Sequence, residues 1–164
     1  MCKTLAAGGL GVSRLELKVP PDVVWVIVAS LMWFASVKTP HLYLLPPLRN
    51  GVAVALTVVG IWAMVSARAS LERANTTWRP MTPGQATSLV TSGVYGFSRN
   101  PIYLGMLLVM LGWAVLLTSP VAVVVSAVFV LYLDRFQIVP EERALSSVLG
   151  QEYLDYLRRV RRWL

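Results

Sequence analysis

Apolar residues along this chain are gathered into four long runs, and the segments between them are rich in proline, glycine and charge. Prolines stand at or beside the start of three runs, where a missing backbone N–H does not disturb a helix. Crossing roughly 30 Å of hydrocarbon takes about 20 apolar residues in a helix, and each run has close to that length. The pattern therefore predicts an all-α polytopic membrane protein with four transmembrane helices, at residues 19–37, 51–67, 101–117 and 121–139.

The last stretch, residues 140–164, has a different pattern. Its apolar residues recur at helical spacing, so that one face of the helix is apolar and the other polar. Four arginines crowd its end, which suits the helix C-terminal dipole and an anionic membrane surface. We expect an amphipathic helix at the membrane interface, with an apolar stripe of Leu145, Leu149, Tyr153, Leu157, Val160 and Leu164.

The length and the connections indicate a single membrane-embedded domain. Residues 118–120 form a tight turn, so the third and fourth runs should make an antiparallel hairpin. A long polar segment joins the second and third runs, and in so small a protein such a connection is usually functional or disordered. The predicted parts are an N-terminal segment at 1–18, two spans within 19–67, a cytoplasmic loop at 68–100, the hairpin at 101–139 and the C-terminal helix at 140–164.

The composition supports the membrane assignment. Hydrophobic residues make up 56% of the 164 residues and charged residues only 14%, which is too apolar for an ordinary soluble domain. The net charge of +7 does not indicate a nucleic-acid partner, because the basic residues flank apolar runs and no nucleic-acid-binding motif is present. These residues suit contacts with anionic lipid headgroups, so membrane lipids are the expected partners.

The distribution of lysine and arginine predicts the orientation. Lys38 and Arg49 bound the first short loop, and the other basic residues lie in the N-terminal segment, the long loop and the C-terminal part. By the positive-inside rule, both termini and the long loop face the cytoplasm. We therefore expect a multi-pass protein of a bacterial inner membrane with its functional site on the cytoplasmic side.

Cysteine and histidine are the residue types most often found at transition-metal sites, and the chain has one of each, Cys2 and His41. They provide no internal disulfide and no metal site of the paired-cysteine type. A lone histidine in a loop is more often a polar surface residue than a ligand. We therefore predict that the protein uses no metal. The sequence leaves the oligomeric state open.

Residues 93–105 form a polar, turn-rich segment that leads directly into the third apolar run. Its glycines and the Asn100–Pro101 pair are typical of turns and helix starts. Such a loop at the mouth of a membrane helix would hold a water-soluble reactant against a lipophilic one. The alternative is a topology-determining loop in which Arg99 marks the cytoplasmic side.

Four short motifs follow one another in the C-terminal half: Gly-Val-Tyr at 93–95, Arg-Asn-Pro-Ile-Tyr-Leu-Gly at 99–105, Pro-Glu-Glu at 140–142 and Gly-Gln-Glu-Tyr at 150–153. Their order and spacing resemble those of the isoprenylcysteine carboxyl methyltransferase family and related phospholipid-methyltransferase-like membrane enzymes. The family pattern is Gly-x-Tyr, Arg-His-Pro-x-Tyr-x-Gly, a Glu-Glu pair and Gly-Glu-x-Tyr. The resemblance covers residues 87–160.

This resemblance implies a membrane methyltransferase that binds S-adenosylmethionine on the cytoplasmic side and methylates an oxygen, sulfur or nitrogen of a lipophilic small molecule. Two apolar residues would supply backbone contacts and a wall, the tyrosines would pack on or hydrogen-bond the cofactor, and a carboxylate would accept hydrogen bonds. The implied cofactor-binding residues are Leu89, Val90, Tyr95, Asn100, Pro101, Tyr103 and Glu141.

The chain departs from the family pattern at two positions. Asn100 stands where eukaryotic members have histidine, and asparagine cannot take a proton near neutral pH. Gln137 stands where the prenylcysteine enzymes carry a substrate-binding arginine, and glutamine has no charge to pair with a carboxylate. Arg135, two residues away, would be the replacement. Arg135 and Gln137 are therefore the candidate substrate-side residues, and the acceptor is predicted not to be a prenylcysteine carboxylate.

Local explanations compete with this interpretation. Tyr95 and Tyr103 also suit an interfacial aromatic belt, Glu141 suits the start of a helix, and Asn100 suits a helix cap. Asp134, at the end of the fourth run, either extends to the lipid headgroups or faces the loop before the third run. Two other functions stay open: a membrane reductase of the sterol type that uses NADPH, and a non-enzymatic interaction subunit.

Overall fold

The computed structural model describes residues 16–77 and 81–164, and every regular element among them is helical. The predicted all-helical character is therefore confirmed. The helices are α1 (Pro21–Val37), α2 (Pro46–Arg73), α3 (Pro101–Leu116), α4 (Pro120–Tyr132) and α5 (Val139–Arg159), with a π-helix (Leu133–Ile138) between α4 and α5 and short 3-10 turns at Pro83–Gln85 and Gly93–Gly96.

Apolar helices occupy all four predicted spans. Two of them, α2 and the helical segment Pro120–Arg159, are long and apolar enough to cross a membrane. The other two, α1 and α3, have 17 and 16 residues, which at 1.5 Å per residue gives a length of about 25 Å. Large apolar side chains such as Phe34, Trp62 and Val124 are exposed on the outer surface, as contact with lipid requires. The structure supports a membrane protein, and the number of spans stays a prediction.

The closest helix contact joins α2 to α3. A Cβ added to Gly105 would lie 2.5 Å from the Gly60 carbonyl oxygen, and one added to Gly60 would lie 2.6 Å from the Gly105 carbonyl oxygen. Farther along, a Cβ added to Gly112 would lie 3.0 Å from the Ala53 carbonyl oxygen. Small residues allow helix backbones to approach this closely. The antiparallel pairing brings the start of α3 beside the C-terminal half of α2.

Two tryptophans tie α1 to α3. The indole N–H of Trp25 donates to the Met106 carbonyl (2.9 Å), and that of Trp113 donates to the Ala29 carbonyl (3.3 Å). This register makes α1 parallel to α3, so that their first turns are neighbours. α1 also packs against α4 across a core that includes Val28, Met32, Met110, Phe129, Leu133 and Ile138.

The helix continues through Pro140, whereas we predicted a separate C-terminal helix from that residue onward. Pro140 has no N–H, so the carbonyl four residues earlier, at Phe136, loses its usual helical donor. The chain passes this point in π-helical turns, and the Phe136 carbonyl accepts a hydrogen bond from the backbone N–H of Leu17 instead (3.1 Å). As a result, α4 runs through the π-helical turns into α5 without a break at Pro140.

The C-terminal helix also ends earlier than predicted. Gly150 adopts φ +59° and ψ −135°, a conformation that glycine adopts readily, and this interrupts the helix. Helical turns resume and end at Arg159, and Val160 is extended, so residues 160–164 form a tail. Three residues of the predicted apolar stripe, Leu145, Leu149 and Tyr153, line a cavity of the protein, and the interfacial position of the helix stays a prediction.

The loop between α2 and α3 is shorter than predicted, because α2 continues to Arg73. It folds back onto the end of α2 through its side chains. The Thr76 hydroxyl accepts a hydrogen bond from the Thr87 N–H (3.1 Å), and the Ser88 hydroxyl donates to the Ala74 carbonyl (2.9 Å). These contacts fix the chain just before Leu89 beside the start of α3.

Candidate functional site

A cavity of about 380 Å³ lies where the loop before α3 meets the first turns of α1 and α3, the end of α2 and α5. All seven residues predicted to bind a cofactor line this cavity: Leu89, Val90, Tyr95, Asn100, Pro101, Tyr103 and Glu141. They come from two distant parts of the chain. The close packing of α2 against α3 and the continuity of α4 with α5 bring these parts together.

Glu141 is the central polar group of the cavity. The Tyr103 hydroxyl donates a hydrogen bond to Glu141 Oε2 (3.0 Å), and the buried Gln137 side chain is hydrogen-bonded to both residues. Burial raises the pKa of Glu141 from 4.5 to about 7, and the hydrogen bond from Tyr103 partly opposes the rise. This carboxyl group therefore changes its charge near neutral pH.

Tyr95 is held by its backbone as well as by packing. Its 3-10 turn begins at Gly93, which has φ +63°, a value that glycine adopts without strain. The Tyr156 hydroxyl donates to the Tyr95 carbonyl (2.7 Å), which joins the loop to α5. Burial raises the pKa of the Tyr95 hydroxyl well above its ordinary value, so the group stays neutral.

Asn100 stands at the start of α3, but its side chain does not cap the helix. The Asn100 side-chain amide donates to the Arg162 carbonyl (3.0 Å), and its backbone N–H donates to the Ser98 hydroxyl (3.1 Å). The alternative interpretation as a side-chain cap is therefore wrong. One N–H of this amide is already engaged by the C-terminal tail.

The family model for phospholipid methyltransferases matches residues 48–152, well over half of the chain, and includes most of the cavity lining. This chain belongs to the phospholipid methyltransferase family. The membership confirms the resemblance that the motifs indicated.

Several known proteins are similar to part of this chain. Mouse protein-S-isoprenylcysteine O-methyltransferase is 42% identical over 73 residues, which cover 44% of this chain and 26% of the mouse protein. The B enzyme of that name from Arabidopsis thaliana is 38% identical over 72 residues, which cover 44% of this chain and 36% of the plant protein. An uncharacterized protein of Haemophilus influenzae is 41% identical over 63 residues, 38% of this chain and all of its own length. The chain thus spans only about a quarter to a third of the named methyltransferases.

An ion-pair cluster at the wall of the cavity was not predicted from the sequence. Arg99 donates to Glu142 Oε1 (2.7 Å) and to the carbonyls of Leu157 (2.8 Å) and Val160 (2.9 Å). Arg162 donates to both oxygens of Glu142 (3.2 and 2.6 Å). The cluster fastens the tail to the loop before α3. The sequence offers a topology marker as one interpretation of Arg99, and its place inside the second motif is the only signal in the sequence for a further role.

The two candidate substrate-side residues lie in different places. Gln137 is buried below Glu141 and Tyr103. Arg135 does not line the cavity; it pairs with Glu16 (2.8 Å), and its side chain is 55% exposed. Asp134 accepts a hydrogen bond from the Trp163 indole (3.3 Å), so it faces the tail that docks on the loop. The structure therefore brings only Gln137 to the group around Glu141.

Proposed function

We propose that this protein is an integral membrane methyltransferase that transfers a methyl group from S-adenosylmethionine to a lipophilic acceptor. The observation that carries the proposal is the gathering of all seven motif-implied residues around one cavity, with the carboxyl group of Glu141 in it. Family membership supports the reaction class.

The cavity fits the proposed cofactor in size and chemistry. Its volume of about 380 Å³ lies in the range of small-molecule sites, which are apolar with a few placed polar groups. Glu141 would pair with a cationic group of the cofactor, and Leu89 and Val90 would form an apolar wall. Arg99 lines the cavity, and its Nε is buried without a hydrogen-bond partner among the described residues.

The reaction needs little acid–base chemistry from the protein when the acceptor is already a carboxylate, a thiolate or a free amine. Bound S-adenosylmethionine supplies a methyl group on a sulfonium, and a lone pair of the acceptor bonds to that carbon as the carbon–sulfur bond breaks and its electrons return to sulfur. The chain's own residues have to align the acceptor and keep water out. Tyr95, Tyr103 and Leu145 contribute packed surface for both tasks. The absence of a proton acceptor at Asn100 is compatible with this mechanism.

The charges around the cavity favour an acceptor without a carboxylate. Among the described lining residues, Arg99 is the one cation, and its terminal nitrogens are engaged by Glu142 and two carbonyls. Arg135 is held outside by Glu16. Asp22 lines the cavity at the start of α1 and adds negative charge. Burying a carboxylate without a cation is costly, so a neutral lipophile, a thiol or an amine fits better than a prenylcysteine carboxylate.

The experiment that tests the function is cofactor binding followed by product identification. We expect the purified protein in detergent or nanodiscs to bind S-adenosylmethionine but not NADPH in titration calorimetry. Incubation with methyl-labelled cofactor and a lipid extract should then give a labelled lipid, and the same assay with farnesylcysteine should be slower than with lipophilic amines or thiols. Binding of NADPH would indicate the reductase instead, and binding of neither would indicate an interaction subunit. Rapid, Arg135-dependent methylation of the prenylcysteine carboxylate would contradict the acceptor class.

The proposed membrane arrangement has four spans, with both termini and the cavity on the cytoplasmic side of a bacterial inner membrane. The parallel packing of α1 and α3 supports it, because it places their first turns, the loop at 86–100 and the tail at one end of the bundle. A reporter fused after Leu164 is expected to be active only in its cytoplasmic form. Periplasmic activity at that position would overturn the arrangement.

A further inference from the structure

The N-terminal segment contacts the helix at the junction formed by Pro140. Glu16 pairs through one carboxylate oxygen with Arg135 (2.8 Å) and through the other with Arg143 (2.7 Å). Next to it, the Leu17 N–H donates to the Phe136 carbonyl (3.1 Å). The two ion pairs therefore bridge the junction from one side to the other, and the backbone bond satisfies the carbonyl that the proline leaves without a helical donor.

These contacts differ from an ordinary surface ion pair, because the carboxylate is buried. The Glu16 side chain is only 5% exposed, although both arginines are more than half exposed. A buried carboxylate is costly without partners, so Glu16 depends on both pairs. Leu17 has φ +54°, a strained conformation for a residue with a side chain, which persists only where its surroundings hold it.

The contacts lie outside the cavity but next to its central group. None of Glu16, Leu17, Arg135 and Arg143 lines the cavity. The two residues directly after Pro140 are Glu141, which faces the cavity, and Glu142, which fastens the loop and the tail through Arg99 and Arg162. A change in the backbone geometry at Pro140 would move both carboxylates at once.

We propose that Glu16 and Leu17 act as a strap that fixes the Pro140 junction and thereby positions Glu141 in the cavity. The strap residues are positioning residues, because they reach the site only through the helix. This inference rests on the proposed function, in which Glu141 contacts the cofactor. It assigns Arg135 to the strap and not to the acceptor.

The test compares Glu16→Gln with Glu72→Gln, which removes a partner from the exposed Arg68–Glu72 pair. Glu16→Gln is expected to speed hydrogen exchange of the amides at 136–146 and to weaken S-adenosylmethionine binding about fivefold or more, the usual size of coupling between linked sites. Glu72→Gln should change neither. Glu16→Asp keeps the charge and should restore part of the affinity. If Glu16→Gln does not fold, Arg135→Gln and Arg143→Gln each remove one ion pair from an exposed position and should show the same two effects.

Unchanged exchange at 136–146 in a folded Glu16→Gln or in both arginine variants would overturn the strap. Faster exchange with unchanged cofactor affinity would also overturn it, because the junction would then not position the site. If the parent protein itself binds no S-adenosylmethionine, the proposed function fails. The exchange data then show separately whether the strap holds the junction.

Discussion

Replacing Glu141 with glutamine is expected to weaken S-adenosylmethionine binding about tenfold to a hundredfold, while the helical fold is kept. The substitution preserves the shape of the side chain but removes its negative charge. Hydrogen bonds to charged groups contribute about 1.5–3 kcal/mol, which corresponds to that range of affinity. Titration calorimetry of the parent and the variant at pH 8 measures the effect.

The same variant should lose the pH dependence of binding. Because burial raises the pKa of Glu141 to about 7, the ionised fraction of the parent falls about tenfold between pH 8 and pH 6. The parent's affinity should fall in step as the pH is lowered, and the affinity of Glu141→Gln should stay nearly constant. The midpoint of the parent's profile reports the titration of this one carboxyl group.

Glu141→Gln is expected to make the folded protein more stable at pH 8, although it weakens cofactor binding. A raised pKa means that the folded state favours the neutral acid, so this contribution to stability is full below about pH 4.5 and is lost as the pH rises through about 7. Glu141→Gln should therefore melt at a higher temperature than the parent at pH 8 and at about the same temperature at pH 5. A gain in stability together with a loss of binding is what a buried functional carboxylate predicts.

The matched control is Glu152→Gln, which removes an exposed carboxylate from the same helix. It should leave affinity, pH dependence and melting temperature close to those of the parent. If a folded Glu141→Gln binds S-adenosylmethionine as the parent does, Glu141 only stabilises the start of α5 by its charge, and the proposed cofactor contact is wrong.

Replacing Arg99 with methionine is expected to release the C-terminal tail and to destabilise the protein by about 3 kcal/mol. That is the lower end of the range for removing one partner of a buried ion pair, because Glu142 keeps Arg162. For a chain of this size the loss corresponds to roughly 6–12 °C in melting temperature. Cofactor affinity should fall as well, since the loop that carries Tyr95 and Asn100 loses its attachment to the tail.

Arg68→Met is the control for charge and side-chain length. Arg68 pairs with Glu72 one helical turn away, and both side chains are more than half exposed, so its loss should cost only about 0.3–0.5 kcal/mol. Arg99→Lys should be intermediate, because an ammonium cannot reproduce the fork that reaches a carboxylate and two carbonyls. Equal melting temperatures for Arg99→Met and the parent would show that the tail is fastened by other contacts.

The pattern of the chain was sufficient for the helical class and for naming seven of the residues that line the cavity. Helix-length apolar runs persist in the structure as α1 to α4, because burial in lipid or in a core depends on local hydrophobicity. The family resemblance that the motifs carry implied seven residues that the fold places around one cavity. Short motifs of this kind carry their chemistry in a fixed local spacing, which can be read without knowing the fold.

The tertiary structure alone decided how the helix passes Pro140 and which charges are available to the cavity. A proline after an apolar run normally indicates a break, but here Leu17 supplies the donor for the Phe136 carbonyl, and the helix continues. The sequence makes Arg135 a candidate substrate-side residue, and the structure pairs it with Glu16 outside the cavity. Glu16 and Arg135 lie far apart in the sequence, and a single ion pair over such a distance produces no periodic pattern from which it could be predicted. Only the packing of the helices determines which charged groups meet.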